Sequence, residues 1–141
     1  MNFNVERKTT VDVLEQLTAE HGGLRAHLER IQSAAEAQDA AALSARLEAA
    51  RTALTDDLDD HIALEEAEAF NPLVQILGDG LVEPFYEEHV EIRVLRDEVY
   101  TLLARGETPY EPSLHLCELI LAHQQREDLM LFPSAREALI S

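Results

Sequence analysis

The chain has 141 residues, room for one domain with one sizeable core. Hydrophobic residues make up 46%, with few aromatics, no Trp and only 5 Gly, a balance that favours helices over strands. Twenty-eight acids against 11 bases give a net charge of −17, which repels phosphate backbones and anionic membrane surfaces alike.

The opening segment MNFNVERKTT lacks the apolar stretch of a secretory signal, and no run approaches the ~20 apolar residues that span a bilayer. The single cysteine, Cys117, permits no intramolecular disulfide and no thiolate cluster. These features predict a cytoplasmic protein without nucleic-acid or membrane partners.

Thr9, with Asp12 three residues on, forms a capping-box signal for a first helix. Its apolar stripe runs Leu14, Leu17, Leu24, Leu28, Ile31. After a weak break at Gln38-Asp39, Asp39 caps a second helix carrying Leu43, Leu47, Leu54 and Leu58, predicted to end before Asn71-Pro72. Gly78-Asp79-Gly80 is a turn. A third helix begins between Leu81 and Pro84, carries Phe85, Ile92, Leu95, Val99 and Leu102, and stops at Gly106 and Pro109. The fourth starts near Pro112, carries Leu116, Ile120 and Leu131, and is predicted to end at Pro133; Ser134 with Glu137 suggests a short capped tail helix. Short loops between long helices predict an all-α, antiparallel up-down-up-down four-helix bundle with a short C-terminal helix. It reads as one domain over residues 1–141, made of two helix-pair halves of about 10–70 and 81–133.

Each long helix places one histidine on its apolar stripe: His21, His61, His89 and His123. Two of these are followed four residues later by a glutamate, Glu65 and Glu127. Four residues turn a helix by about 400°, so each His and its Glu lie one turn apart on one face. The pattern repeats: His21 then His61-Glu65, and His89 then His123-Glu127, each followed by Phe and Pro at Phe70-Asn-Pro72 and Phe132-Pro133.

A lone histidine on an apolar stripe is ordinarily a core residue satisfied by hydrogen bonds, and a lone His-x-x-x-Glu occurs by chance as a solvated pair. Together the six residues weigh differently. Two buried carboxylates cost several kcal/mol each unless a cation neutralises them. Two equivalent halves, each offering two imidazoles and one carboxylate, therefore predict two metals related by an approximate two-fold axis, with the carboxylates able to bridge. The donor set lacks thiolate and suits iron ahead of manganese or zinc. The Glu-x-x-His pattern of ferritin-like bundles is absent, since Thr18, Leu58, Tyr86 and Ile120 stand three before the histidines. The zinc-protease pattern His-Glu-x-x-His is absent too.

At these residues, in AEHGGLRAHL, DHIALEEAEAFNPL, EEHVEIRVLRDE and AHQQREDLMLFP, the sequence resembles the hemerythrin-like, or HHE cation-binding, family from about Thr10 to Pro133. The resemblance implies a non-haem di-iron site in which His21 and His61 bind one iron and His89 and His123 the other, with Glu65 and Glu127 bridging. It further implies an oxo or hydroxo bridge, and an open edge that binds, senses or turns over dioxygen, peroxide or nitric oxide. The family's oxygen carriers have a further histidine where this chain has Arg93, and draw the last carboxylate from the position of Asp128. The Glu127 spacing is that of the bacterial four-histidine branch. Fewer imidazoles leave a more open centre, which suits peroxide or nitric oxide chemistry or sensing better than oxygen carriage. The family's repair branch carries a cysteine-containing N-terminal module, and no Cys precedes His21 here.

Two other classes stand beside this one: a metal store, buffer or structural-metal module, and a partner-binding bundle with core histidines. Of the remaining side chains, His27 and His115 read as surface, and Tyr86 and Arg93 as ordinary half-buried and solvated residues or groups near the open edge. Glu66, Glu68, Glu87 and Glu88 read as solvated acids, any of which could hold an imidazole N–H.

Overall fold

The computed structural model describes residues 9–140; the reading of the opening segment falls mostly on residues 1–8, outside the described residues. The described residues are helical, without a strand among them. Helix α1 (Thr10–Glu36) begins as the sequence predicts: Thr9 Oγ1 accepts from Asp12 N at 3.1 Å, and Asp12 Oδ2 accepts from Thr9 N at 3.3 Å. It ends where Gln38 turns to φ 52°. Helix α2 (Ala40–Ala49) is capped by Asp39, whose carboxylate accepts from Ala42 N at 3.0 Å.

From α2 the chain continues through a π turn (Ala53–Asp57), α3 (Leu58–Glu65), a second π turn (Glu66–Phe70) and α4 (Asn71–Leu77). The residues at these junctions keep right-handed helical φ and ψ. Gly78, at φ 81°, ends the run. Helix α5 (Glu83–Ala104) is followed by Gly106 at φ 78°, and α6 (Tyr110–Arg126) passes through a third π turn (Glu127–Leu131) into α7 (Phe132–Ile140).

Two expectations are corrected here. Neither Asn71-Pro72 nor Pro133 ends a helix, and the tail is a continuation of α6 rather than a separately capped helix. A proline in a regular α-helix clashes with the carbonyl four residues back and removes a hydrogen bond. Here Asn71 N–H bonds to Glu66 O and Phe132 N–H to Glu127 O, five residues back, so the ladder is already widened when each proline enters it. Pro112 lies within the first turn of α6, which starts two residues earlier than expected.

The core has two parts. One gathers Leu28, Ile31, Leu43, Leu47, Leu54, Leu58, Ile62, Ile92, Val99 and Ile120; the other gathers Leu14, Leu17, Phe70, Leu73, Phe85, Leu131 and Phe132. Along the chain α1 passes from the second cluster to the first, α2–α4 from the first to the second, α5 back, and α6–α7 back again. His21, His61, Glu65, His89, His123 and Glu127 lie at or next to the point where each run passes from one cluster to the other. Helix α6 packs against both α1 and α5, and α1 also packs against α2. The Tyr100 hydroxyl donates to Leu47 O at 2.7 Å, and the Arg96 guanidinium, 6% exposed, reaches Leu54 O at the first π turn and Asp59 at 2.7 Å. None of the described helices is long and apolar enough to cross a membrane.

Leu54 is fully buried at that π turn. Leu54→Ala is expected to lower unfolding stability by about 2–5 kcal/mol, read as a shift in the denaturant midpoint at unchanged slope.

Candidate metal centre

Between the two apolar cores lies a polar layer. His21, His89 and His123 are 2%, 1% and 4% exposed, and Glu65 and Glu127 are completely buried. His61, with 12% of its side chain exposed, is the most open of the six. The structure brings all six predicted residues together as two overlapping groups. One comprises His21, His61, Glu65 and Glu127, the other Glu65, His89, His123 and Glu127; within each, one donor atom per residue lies within 4.8 Å of the rest. Glu65 and Glu127 belong to both.

The imidazoles all point the same way. Every Nε2 faces the glutamates: His21 Nε2 is 3.0 Å from Glu127, His89 Nε2 2.8 Å from Glu65, His123 Nε2 2.9 Å from Glu127, and His61 Nε2 3.7 Å from Glu65. Every Nδ1 faces an acid on the outer side: His21 to Asp128 at 3.0 Å, and His61 to Glu20, His89 to Glu66 and His123 to Glu88 at 2.7 Å each. Donation from Nδ1–H to these carboxylates leaves the lone pair on Nε2, aimed inward.

Inside the cage those lone pairs meet carboxylate oxygens. The Nε2 atoms of His21, His89 and His123 and both oxygens of Glu65 and Glu127 have no hydrogen-bond partner, despite separations near 3 Å. Such a set of buried acceptors is costly by itself and suited to a cation that every lone pair can address. Burial accordingly pushes Glu65 up to about 7, with Glu127 adding to the rise, and pushes Glu127 up to about 8. Burial also lowers His21 to about 3 and lowers His61 and His89.

Each phenylalanine after a ligand-bearing helix turn braces a histidine of the other half. Phe70 stacks on His89 (5.0 Å, 12°) and Phe132 on His21 (5.6 Å, 19°). Tyr86 acts through Phe70, meeting its ring edge-on while its hydroxyl donates to Asn71 Oδ1.

The outer acids were only partly visible beforehand. Glu66 and Glu88 hold imidazoles, whereas Glu68 and Glu87 are exposed. Asp128 sits on His21 Nδ1, outside the two donor groups, and Arg25 approaches it at 3.8 Å. Glu20 escaped the sequence reading. Its signal was there: an acid precedes His21 and His89, and an acid follows Glu65 and Glu127. His115 is exposed, but His27 is half-buried and lines a cavity of about 620 Å³ that also touches His21 and His61. Cys117 is buried, donates weakly to Leu28 O, and has its thiol pushed up to about 12 by burial, so it is inert.

The family model for the hemerythrin HHE cation-binding domain matches residues 12–135. No curated protein and no solved structure matches the chain.

The metal-free protein carries a pH signature. In the unfolded chain Glu65 and Glu127 ionise near 4.5, but the fold holds their protons to about 7 and about 8. The folded state therefore binds more protons in that interval, and stability falls as pH rises through it. His21, His61 and His89 act oppositely, but mostly below about 7, where the unfolded chain gains protons. From pH 6.5 to 8 the urea midpoint of the metal-free protein is expected to fall; a flat or rising midpoint contradicts this account.

Proposed function

The chain belongs to the hemerythrin HHE cation-binding domain family, and we propose that its polar layer holds a non-haem di-iron centre serving a small oxidant: dioxygen, peroxide or nitric oxide. His21 and His61 would hold one iron, His89 and His123 the other, with Glu65 and Glu127 shared between them. The observation that carries this reading is that sharing: the two donor groups have both glutamates in common. Two carboxylates placed among four imidazoles, without thiolate, suit iron ahead of manganese or zinc. When bound, an iron pair supplies the redox chemistry that a side-chain cage lacks.

The protein's own part is positioning and access. Asp128, Glu20, Glu66 and Glu88 hold the imidazole tautomers. Arg25 lies by Asp128 and Arg126 pairs with Glu88, which helps hold those carboxylates in place. The cavity on the His61 side gives a small ligand a path to the cage, while the apolar walls Ile62, Ile92 and Ile120 exclude bulk water from it. Burial raises the Glu66 carboxyl above its ordinary value, Arg93 partly offsets that rise, and Arg93 stands where oxygen carriers of the family have a histidine.

The alternating order in which successive helical runs meet the two cores supports an antiparallel up-down-up-down bundle forming one domain. A single buried, unreactive cysteine and the acidic surface support a cytoplasmic setting.

Protein expressed with iron is expected to contain about two irons per chain and to show oxo-bridge absorption in the near ultraviolet. Glu65→Ala should abolish both and any peroxide turnover. Stoichiometric but redox-silent metal would make the protein a store or scaffold instead. Absence of metal in a folded protein would refute the reading. Glu66→Ala is expected to weaken metal affinity about 10- to 100-fold while leaving stoichiometry intact, by releasing the His89 Nδ1–H; equilibrium competition with a chelator measures it.

A further inference from the structure

The run that carries His61 and Glu65 departs from a regular helix before it reaches them. Ala50, Leu54, Leu58 and Ile62, each 5% exposed or less, follow one another at intervals of four. Three such steps in an α-helix overshoot whole turns by about 120°, which would carry Ile62 and the residues after it off the buried face. The π turn (Ala53–Asp57) takes up one extra residue, about 100°, and returns them to it. Helix α6 instead buries Ser113, Leu116, Ile120, His123 and Glu127 at alternating intervals of three and four, and has no π turn before its histidine. At the π turn the Leu58 N–H goes to Thr55 O. The Leu54 carbonyl, which a regular helix would pair with Leu58, accepts from Arg96 Nη1 at 3.2 Å. The same Nη1 reaches Asp59 Oδ1 at 2.7 Å, and Nε reaches Asp97 Oδ1 at 3.0 Å. Arg96 comes from α5, seven residues beyond His89, and is the one buried arginine or lysine among the described residues. A rigid, always charged fork suits a bridge between a carbonyl before the turn and a carboxylate after it.

We propose that Arg96 is a positioning residue for the metal centre. By joining the Leu54 carbonyl to Asp59 across the π turn, it fixes the rotation of α3 and so aims His61 and Glu65 into the cage. Glu65 belongs to both donor groups, so this one clamp bears on both metals. The inference rests on reading the cage as a metal centre, but the rotation of α3 needs no metal to be measured.

The test compares Arg96→Met, which keeps a long apolar stem but no donor, with Tyr100→Phe in the full-length chain. Tyr100 is the control because its hydroxyl also ties α5 to a buried carbonyl, Leu47 O, but ahead of the π turn. Zinc affinity is measured by competition with a chelator. In metal-free protein the His61 Nδ1–H, which donates to Glu20, is followed by proton–nitrogen NMR. Arg96→Met is expected to weaken zinc binding about tenfold and to shift or erase the His61 signal. Tyr100→Phe should lower stability and leave both readouts unchanged. Asp59→Ala, which removes one end of the clamp at a half-exposed side chain, should weaken zinc binding in the same direction. Equal losses of zinc affinity in Arg96→Met and Tyr100→Phe overturn the proposal, as does a folded Arg96→Met with wild-type affinity and an unmoved His61 signal. Should Arg96→Met not fold, Asp59→Ala decides in its place. A wild-type chain that takes up no metal refutes the di-iron reading, and the His61 signal of the metal-free protein then still decides the role of Arg96.

Discussion

Two fully buried carboxylates, Glu65 and Glu127, set the terms for everything around them. An ionised carboxylate removed from water loses several kcal/mol of solvation, which neighbouring neutral imidazoles repay poorly. Without a cation, burial pushes both groups well above the ordinary carboxylate range. The cost is tolerable because the polar layer is thin. Apolar clusters above and below it supply the burial that holds the helices together, and each helical run contributes residues to both. Stability lives in the two cores, and chemistry in the seam between them.

The seam is organised by reciprocity between the two halves. Glu127, Asp128 and Phe132 all converge on His21, while Glu65, Glu66 and Phe70 converge on His89. Each half thus completes the surroundings of a histidine in the other, and neither cage is whole in one half. The π turns join this arrangement. The second and third, Glu66–Phe70 and Glu127–Leu131, each lie at a buried glutamate and lead into a proline, so the widened register that admits Pro72 and Pro133 also sets the phenylalanine before it against the opposite imidazole. Holding a histidine between a carboxylate at Nδ1 and a ring on its face restrains both its tautomer and its tilt. Pre-set Nε2 lone pairs lower the reorganisation that metal uptake demands.

Much of this was legible in the chain because it is local. The Thr9 capping box, the Asp39 cap and the stops at Gly78 and Gly106 depend on a few neighbouring residues and recur in the structure. The spacing of His61 to Glu65 and of His123 to Glu127 puts each pair on one helical face whatever the tertiary arrangement, and the six residues do assemble. Where local rules misled, a non-local demand had intervened. Proline spacing predicted helix ends at Asn71-Pro72 and Pro133, but packing of Phe70 and Leu131–Phe132 into the second core keeps both runs helical through a π turn.

By itself the sequence determined the helical class, the stripes, and the placing of one histidine per long helix with two glutamates four residues on. Those follow from a rotation of about 100° per residue, which operates within a single helix. Only the tertiary structure decided that Glu20 serves His61 and Asp128 serves His21, that His27 faces a cavity, and that Gln124 lies buried without a donor. Those relations join residues up to 107 positions apart. They depend on the axial register and rotation of one helix against another, which are set by how whole side chains interlock in the two cores rather than by any residue's neighbours in the chain.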